Sequence, residues 1–146
     1  MPEPRPLYVA EPSSVWHARP PVVVDCSILV SHLFEEVDAL QAAEALKGRA
    51  LHAPAMLPFE FANAARSKSR AGAPPERVRA ALTTFDELRI VLRQAPTLAL
   101  HDLALACGLS AYDAAYLWLA AELDAPLLTF DRRLALAAQR HLGPRG

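Results

Sequence analysis

Cysteine is scarce in this chain of 146 residues. There are two, Cys26 and Cys107, and their wide separation matches neither a zinc-finger nor a CxxC pattern. A disulfide scaffold is therefore excluded, zinc fits poorly, and two ordinary reduced thiols make a cytoplasmic setting the expectation. Long apolar runs are also missing. The longest, 114–121, is eight residues against the roughly 20 that a spanning helix needs, and the N-terminus lacks a signal-peptide apolar core. No membrane association is expected. Nor is there an excess of charge of either sign: 15 Lys and Arg stand against 16 Asp and Glu, so any nucleic-acid contact must come from a local patch. What the chain does have is 53% hydrophobic residues. At this length one domain hides roughly 70% of its extended-chain surface and needs no staple in order to fold.

Proline is concentrated where the fold is not. Six of the 13 prolines lie within residues 1–21, where fixed φ angles and missing amide donors oppose helix and central strand alike. This segment reads as a Pro-rich N-terminal extension, with Tyr8 and Trp16 available to pin it to a surface. The folded unit is expected over 22–146. Within it, short β-branched or apolar runs at 22–24, 51–53, 88–92 and 127–129 alternate with longer amphipathic stretches at 27–34, 38–47, 56–71, 75–85, 97–107, 111–123 and 132–141. That alternation predicts an α/β fold: a parallel sheet covered by helices on both faces.

Most of the 16 acids fall on polar helix faces or in loops, as solvated charges should. Asp25, Glu60, Asp113 and Asp131 differ, because each is embedded in apolar sequence. Asp25 follows Val22-Val23-Val24 and Asp131 follows Leu127-Leu128-Thr129-Phe130, so both emerge where a buried strand ends. Glu60 lies in MLPFEFANAA and Asp113 in LSAYDAAYLWLAA. Removing a lone carboxylate from water costs several kcal/mol in effective terms unless it is paired, hydrogen-bonded or bound to a cation. Lys and Arg are absent from these segments until Arg132, which makes a divalent metal a natural counter-charge. Three or four carboxylates with room for water suit Mg²⁺ or Mn²⁺. In open parallel sheets, moreover, ligands bind outside the carboxyl ends of the strands.

Each acid also has a purely structural account. Ser110-Ala-Tyr-Asp113 has the form of a capping box. Asp25 and Asp131 are placed to cap helices, and Glu60 to complement a helix dipole. Singly, these accounts stand level with the functional one; four caps meeting by chance at one sheet edge is the weaker account. Asp102 is a possible fifth member, better read as facing solvent on its helix.

On these residues the chain resembles the PIN-domain ribonucleases, and within them the VapC-like toxins of bacterial toxin–antitoxin pairs. VVVDCSILV resembles the family's opening strand, with Asp25 and the hydroxyl of Ser27. LPFEFANAARSKSRAG is similar to its second segment, with Glu60 and Asn63. GLSAYDAAYLWLAAELDAPLLTFDRRL resembles its most specific segment, carrying Asp113, Thr129 and Asp131. The resemblance covers about 22–141 and implies a three-layer α/β/α fold around a parallel sheet of four or five strands. The long N-terminal extension and the ending at Gly-Pro-Arg-Gly, where relatives often add a strand, depart from the family pattern.

The resemblance implies a Mg²⁺- or Mn²⁺-dependent endoribonuclease and toxin. Asp25 and Asp113 would be direct metal ligands and Glu60 and Asp131 would complete the cluster, so that a metal-activated water attacks the phosphodiester. Products would carry a 5′-phosphate and a 3′-hydroxyl. Ser27 and Thr129 would hydrogen-bond the carboxylates or metal waters and Asn63 would orient a ligand, although capping and turn formation account for Ser27 and Thr129 nearly as well. For RNA, residues 64–80 carry five cations, Arg66, Lys68 and Arg70 among them, against Glu76 alone, with Arg132 and Arg133 beside Asp131. These form a candidate phosphate-binding patch, or alternatively a solvated helix face. The resemblance further implies an antitoxin partner and a homodimer. The rival reading is a non-catalytic PIN-like module that binds RNA or protein. Receiver domains and haloacid-dehalogenase-like phosphatases are disfavoured, since no lysine follows Lys68 and Ser27 stands where the second phosphatase aspartate is needed.

Overall fold

The computed structural model describes residues 19–143. All but the last three residues of the Pro-rich extension fall outside that span. Four parallel strands form one sheet: β1 (Pro21–Val24), β2 (Ala50–Pro54), β3 (Val91–Arg93) and β4 (Leu127–Leu128), in the order β3-β2-β1-β4. Between them run α1 (Cys26–Leu33), α2 (Ala39–Leu46), α3 (Leu57–Arg70), α4 (Pro75–Glu87), α5 (Thr97–Cys107), α6 (Ala111–Leu123) and α7 (Arg132–Leu142). One helical layer links α1 with α2, α3 and α4; the other packs α6 on β1, β2 and β4, flanked by α5 and α7. This is the expected three-layer architecture, with four strands. Among the described residues no single helix is long and apolar enough to cross a membrane. The α5 and α6 pair meets the length and composition test only jointly and is bent by 103°.

The central strand explains itself. Val22, Val23 and Val24 are fully buried, and β-branched side chains suit a strand covered on both faces. Val22 is in register with Leu51 of β2, and Val24 with Leu128 of β4. Because β2 and β3 extend to one side of β1 and β4 to the other, the strand order reverses between β1 and β4, where open parallel sheets bind ligands.

One strand differs from expectation. The apolar run at 88–92 does not start a strand at Leu88, because α4 continues to Glu87 and the Leu88 amide still donates to Thr84 and Phe85 carbonyls. Leu88 lies three residues after Phe85 and packs against the same core, so its apolarity follows the helical period. The chain then turns through Arg89, at φ 52°, and β3 is a short exposed edge strand.

The core between the sheet and the α1–α4 layer centres on Phe61, which is fully buried and stacks on Phe34 at 5.8 Å and on Phe85 at 4.4 Å between ring centroids. Phe61→Ala would leave a cavity between three helices that cannot collapse together. It should lower unfolding stability by about 3–5 kcal/mol in a denaturant titration.

Candidate active site

Asp25 ends β1 and occupies the N-cap position of α1 without making a capping hydrogen bond, so the capping account fails for this residue. Its side chain turns instead toward β4. Ser27 Oγ and Thr129 Oγ1 both donate to Asp25 Oδ2, each at 2.8 Å. The same two hydroxyls accept backbone N–H groups from the turn after β4: Phe130 N to Ser27 Oγ at 3.0 Å, and Asp131 N to Thr129 Oγ1 at 2.9 Å. A hydroxyl has one proton to give and lone pairs to receive, and here each does both. The unit leaves Asp25 Oδ1 without a protein donor among the described residues.

Asp131 does cap its helix, accepting the Leu134 N–H at 3.1 Å through Oδ1, and it is exposed. Asp113 lies in the first turn of α6, its amide held by Ser110 Oγ at 3.1 Å, so the capping arrangement is present. Burial first, then the charges of Asp131 and Asp25, raise the proton affinity of Asp113, while Arg133 and hydrogen bonding with Ser110 act against this. Glu60 sits in the first turn of α3. Burial raises its proton affinity most, and Asp25 and Asp113 add to the rise, opposed by a hydrogen bond from Tyr116. These mutual effects link all four predicted acids in one electrostatic neighbourhood at the β1/β4 reversal. Two residues the sequence reading passed over belong to the same place. The fully buried Tyr116 donates its hydroxyl to Glu60 Oε1 at 2.6 Å. Cys26 is pushed up to about 12 by burial and by Glu60 and Asp25, which keeps it an inert thiol. Tyr116 was findable as a hydroxyl-bearing side chain inside the apolar run of α6, about a turn beyond Asp113.

The other expected residues are placed as follows. Asn63 is exposed on α3, one turn after Glu60, and Asp102 is exposed beside His101, as anticipated. In the basic stretch, Lys68 is bound to Glu36 and Arg77 reaches Glu35 at 3.3 Å, so two of its five cations are offset by acids from the loop after α1. Arg66 and Arg70 are exposed without an ion pair among the described residues. Arg132 is exposed at the start of α7.

Among the described residues, no three His, Cys, Asp or Glu side chains are drawn together tightly enough to hold an ion as they stand. The donor chemistry nevertheless fits a hard divalent cation. Its ligand atoms would all be carboxylate oxygens, Asp25 Oδ1 lacks a protein donor, and the groups repel one another in a way that a cation would relieve.

Because Asp113 and Glu60 hold protons more tightly in the folded chain than in the unfolded one, ionising them costs stability as pH rises from the ordinary carboxylate range through their raised values. Below that range both states are protonated and the cost is absent. Asp113→Asn should therefore melt at a higher temperature than the wild-type protein at pH 7 without added metal. The advantage should shrink away below the ordinary aspartate value of 3.8; equal melting temperatures at every pH would contradict the electrostatic account.

The PIN domain family model matches residues 22–139. In fold the chain is similar to PAE2754 from Pyrobaculum aerophilum, known from a crystal structure: 19% identity, a TM-score of 0.65, and coverage of 86% of this chain and 94% of that one. No curated protein sequence matches the chain.

Proposed function

The chain belongs to the PIN-domain family, whose fold is of the nuclease type, and from that premise we propose that it is a metal-dependent endoribonuclease and the toxin of a toxin–antitoxin pair. The observation that carries the nuclease reading is the meeting of Asp25, Glu60, Asp113 and Asp131 in one electrostatic neighbourhood at the reversal of strand order. In this reading Asp25 and Asp113 bind Mg²⁺ or Mn²⁺ directly, with Glu60 and Asp131 completing the set directly or through water. When bound, the ion supplies water activation and neutralises charge at the scissile phosphodiester. The protein's own groups do the rest. Ser27 and Thr129 fix the rotamer of Asp25, so that Oδ1 is the oxygen offered. Glu60 is held in place by the hydrogen bond from the Tyr116 hydroxyl to its Oε1. Arg66, Lys68, Arg70 and Arg132 are the proposed RNA contacts, Lys68 only after giving up Glu36, and Asn63 is proposed to orient substrate or a metal ligand.

The toxin role and an antitoxin partner rest on the family resemblance. A homodimer draws on exposed apolar side chains of α3, α5 and α6: Phe59 at 74%, Leu98 at 72%, Leu105 at 76% and Tyr112 at 66%. α6 fills the core, whereas α5 has no buried residue, which makes α5 the natural seam. A cytoplasmic location is proposed on the two free thiols. The rival reading, a PIN module that binds RNA or protein without cutting, draws on the absence of a preassembled three-acid cage among the described residues.

Purified protein should cleave RNA only with added Mg²⁺ or Mn²⁺, and Asp25→Asn should abolish cleavage while circular dichroism remains native. Ser27→Ala with Thr129→Val should slow cleavage by roughly 10- to 100-fold, as loss of groups supporting a metal ligand does. Tight RNA binding with no metal-dependent product at any enzyme concentration would establish the rival.

A further inference from the structure

A cleft of about 740 Å³ runs between the C-terminal end of α5 and the length of α7. Arg132, Arg133, Arg140 and His141 line it, and no Asp or Glu does. Its floor is apolar, built from Leu109, Leu136 and Ala137. Arg132 and Arg140 are separated by two i+4 steps through Leu136, and Arg133 and His141 by two through Ala137, so the cations form two adjacent stripes along one helix face. Eight residues of helix span roughly 12 Å, longer than a single nucleotide step.

Two observations give this face a purpose beyond solvation. Arg132 and Arg133 open α7, where the helix dipole is positive and cations are disfavoured; helix stability alone would not place them there. Arg133 is also fixed. Its guanidinium donates to the Gly108 carbonyl at 2.7 Å, bridging the cleft at the C-cap of α5, and its charge is felt by Asp113. Arg132, on the wall of the cleft, directly follows Asp131, the N-cap of α7, so the N-terminal end of the cleft lies beside that acid. Arg132, Arg140 and His141 make no ion pair among the described residues, in contrast to Lys68 and Arg77 on the α3–α4 side.

We propose that the α5–α7 cleft is the channel that carries the single-stranded RNA backbone away from the acids, Arg132 and Arg140 contacting phosphates more than one nucleotide step apart over an apolar floor for ribose and base. This rests on the nuclease reading for its substrate, and its test is independent of cleavage. Binding of a fluorescein-labelled oligouridylate is followed by anisotropy in EDTA over a series of salt concentrations. For single strands the salt slope falls by about 0.7 for each phosphate that the protein ceases to neutralise, so Arg132→Gln with Arg140→Gln should weaken binding and flatten the slope by about 1.4. Leu136→Glu, which puts a carboxylate between the two arginines on an exposed helix face, should weaken binding as well. Lys47→Gln, beside the opposite, N-terminal edge of the sheet, should change neither quantity. Wild-type affinity and slope in the cleft variants would overturn the channel, whether or not the protein cleaves RNA, as would a wild-type protein that does not bind the oligonucleotide. Loss of binding in those variants from a protein that never cleaves would uphold the channel and remove the nuclease reading alone.

Discussion

Asp25 is a carboxylate at the buried end of the central strand, only 8% exposed, and the fold around it is arranged to tolerate that. A carboxylate taken from water must be supplied with donors. Ser27, from the first turn of α1, and Thr129, from the end of β4, converge on the same oxygen although 102 positions separate them. Each is itself held by a backbone amide of the β4–α7 turn. The aspartate thus ties β1, α1, β4 and the entry to α7 into one unit, and the position of Asp131 follows from it. An isolated cap or turn would tolerate exchange of one hydroxyl more readily than a network in which each hydroxyl serves as both donor and acceptor.

Glu60 and Asp113 are held against their electrostatic preference. Tyr116 offsets part of the burial cost of Glu60, and Ser110 and Arg133 part of that of Asp113, but the crowding stays unfavourable on balance for both. A fold selected for stability alone would place amides there. Such strain concentrated at one sheet edge is what the proposed use of that charge would require. The thiol of Cys26 shows the other side of the same field: next to these carboxylates it is kept protonated and takes no part.

Much of this was legible from residue order. The alternation of apolar runs gave the layers and strand count, and acids in apolar company singled out the four carboxylates, because both signals are local. What was not legible depended on contacts between distant segments. Leu88 read as strand because an apolar residue extending a helix period is indistinguishable, at that length, from one beginning an edge strand. Tyr116 read as core packing, which it is, and only the fold reveals Glu60 opposite its hydroxyl. The cations of 64–80 read as an open patch, since nothing local signals that Glu35 and Glu36 return to meet Lys68 and Arg77.

The same limit explains why α7 carries more than its sequence declared. Arg132 and Arg133 drew notice as neighbours of Asp131, whereas Arg140 and His141 lie in the last helical turn, where they complement the dipole. Only the packing of α5 against this end of the molecule turns the face into a walled cleft. Because Asp131 caps the helix that bears these cations, the offset between acid and cation is set by the rise of one rigid helix and not by a loop. A strand laid along α7 would then meet the carboxylates in a fixed register, and cutting position would be determined by the geometry of a single element.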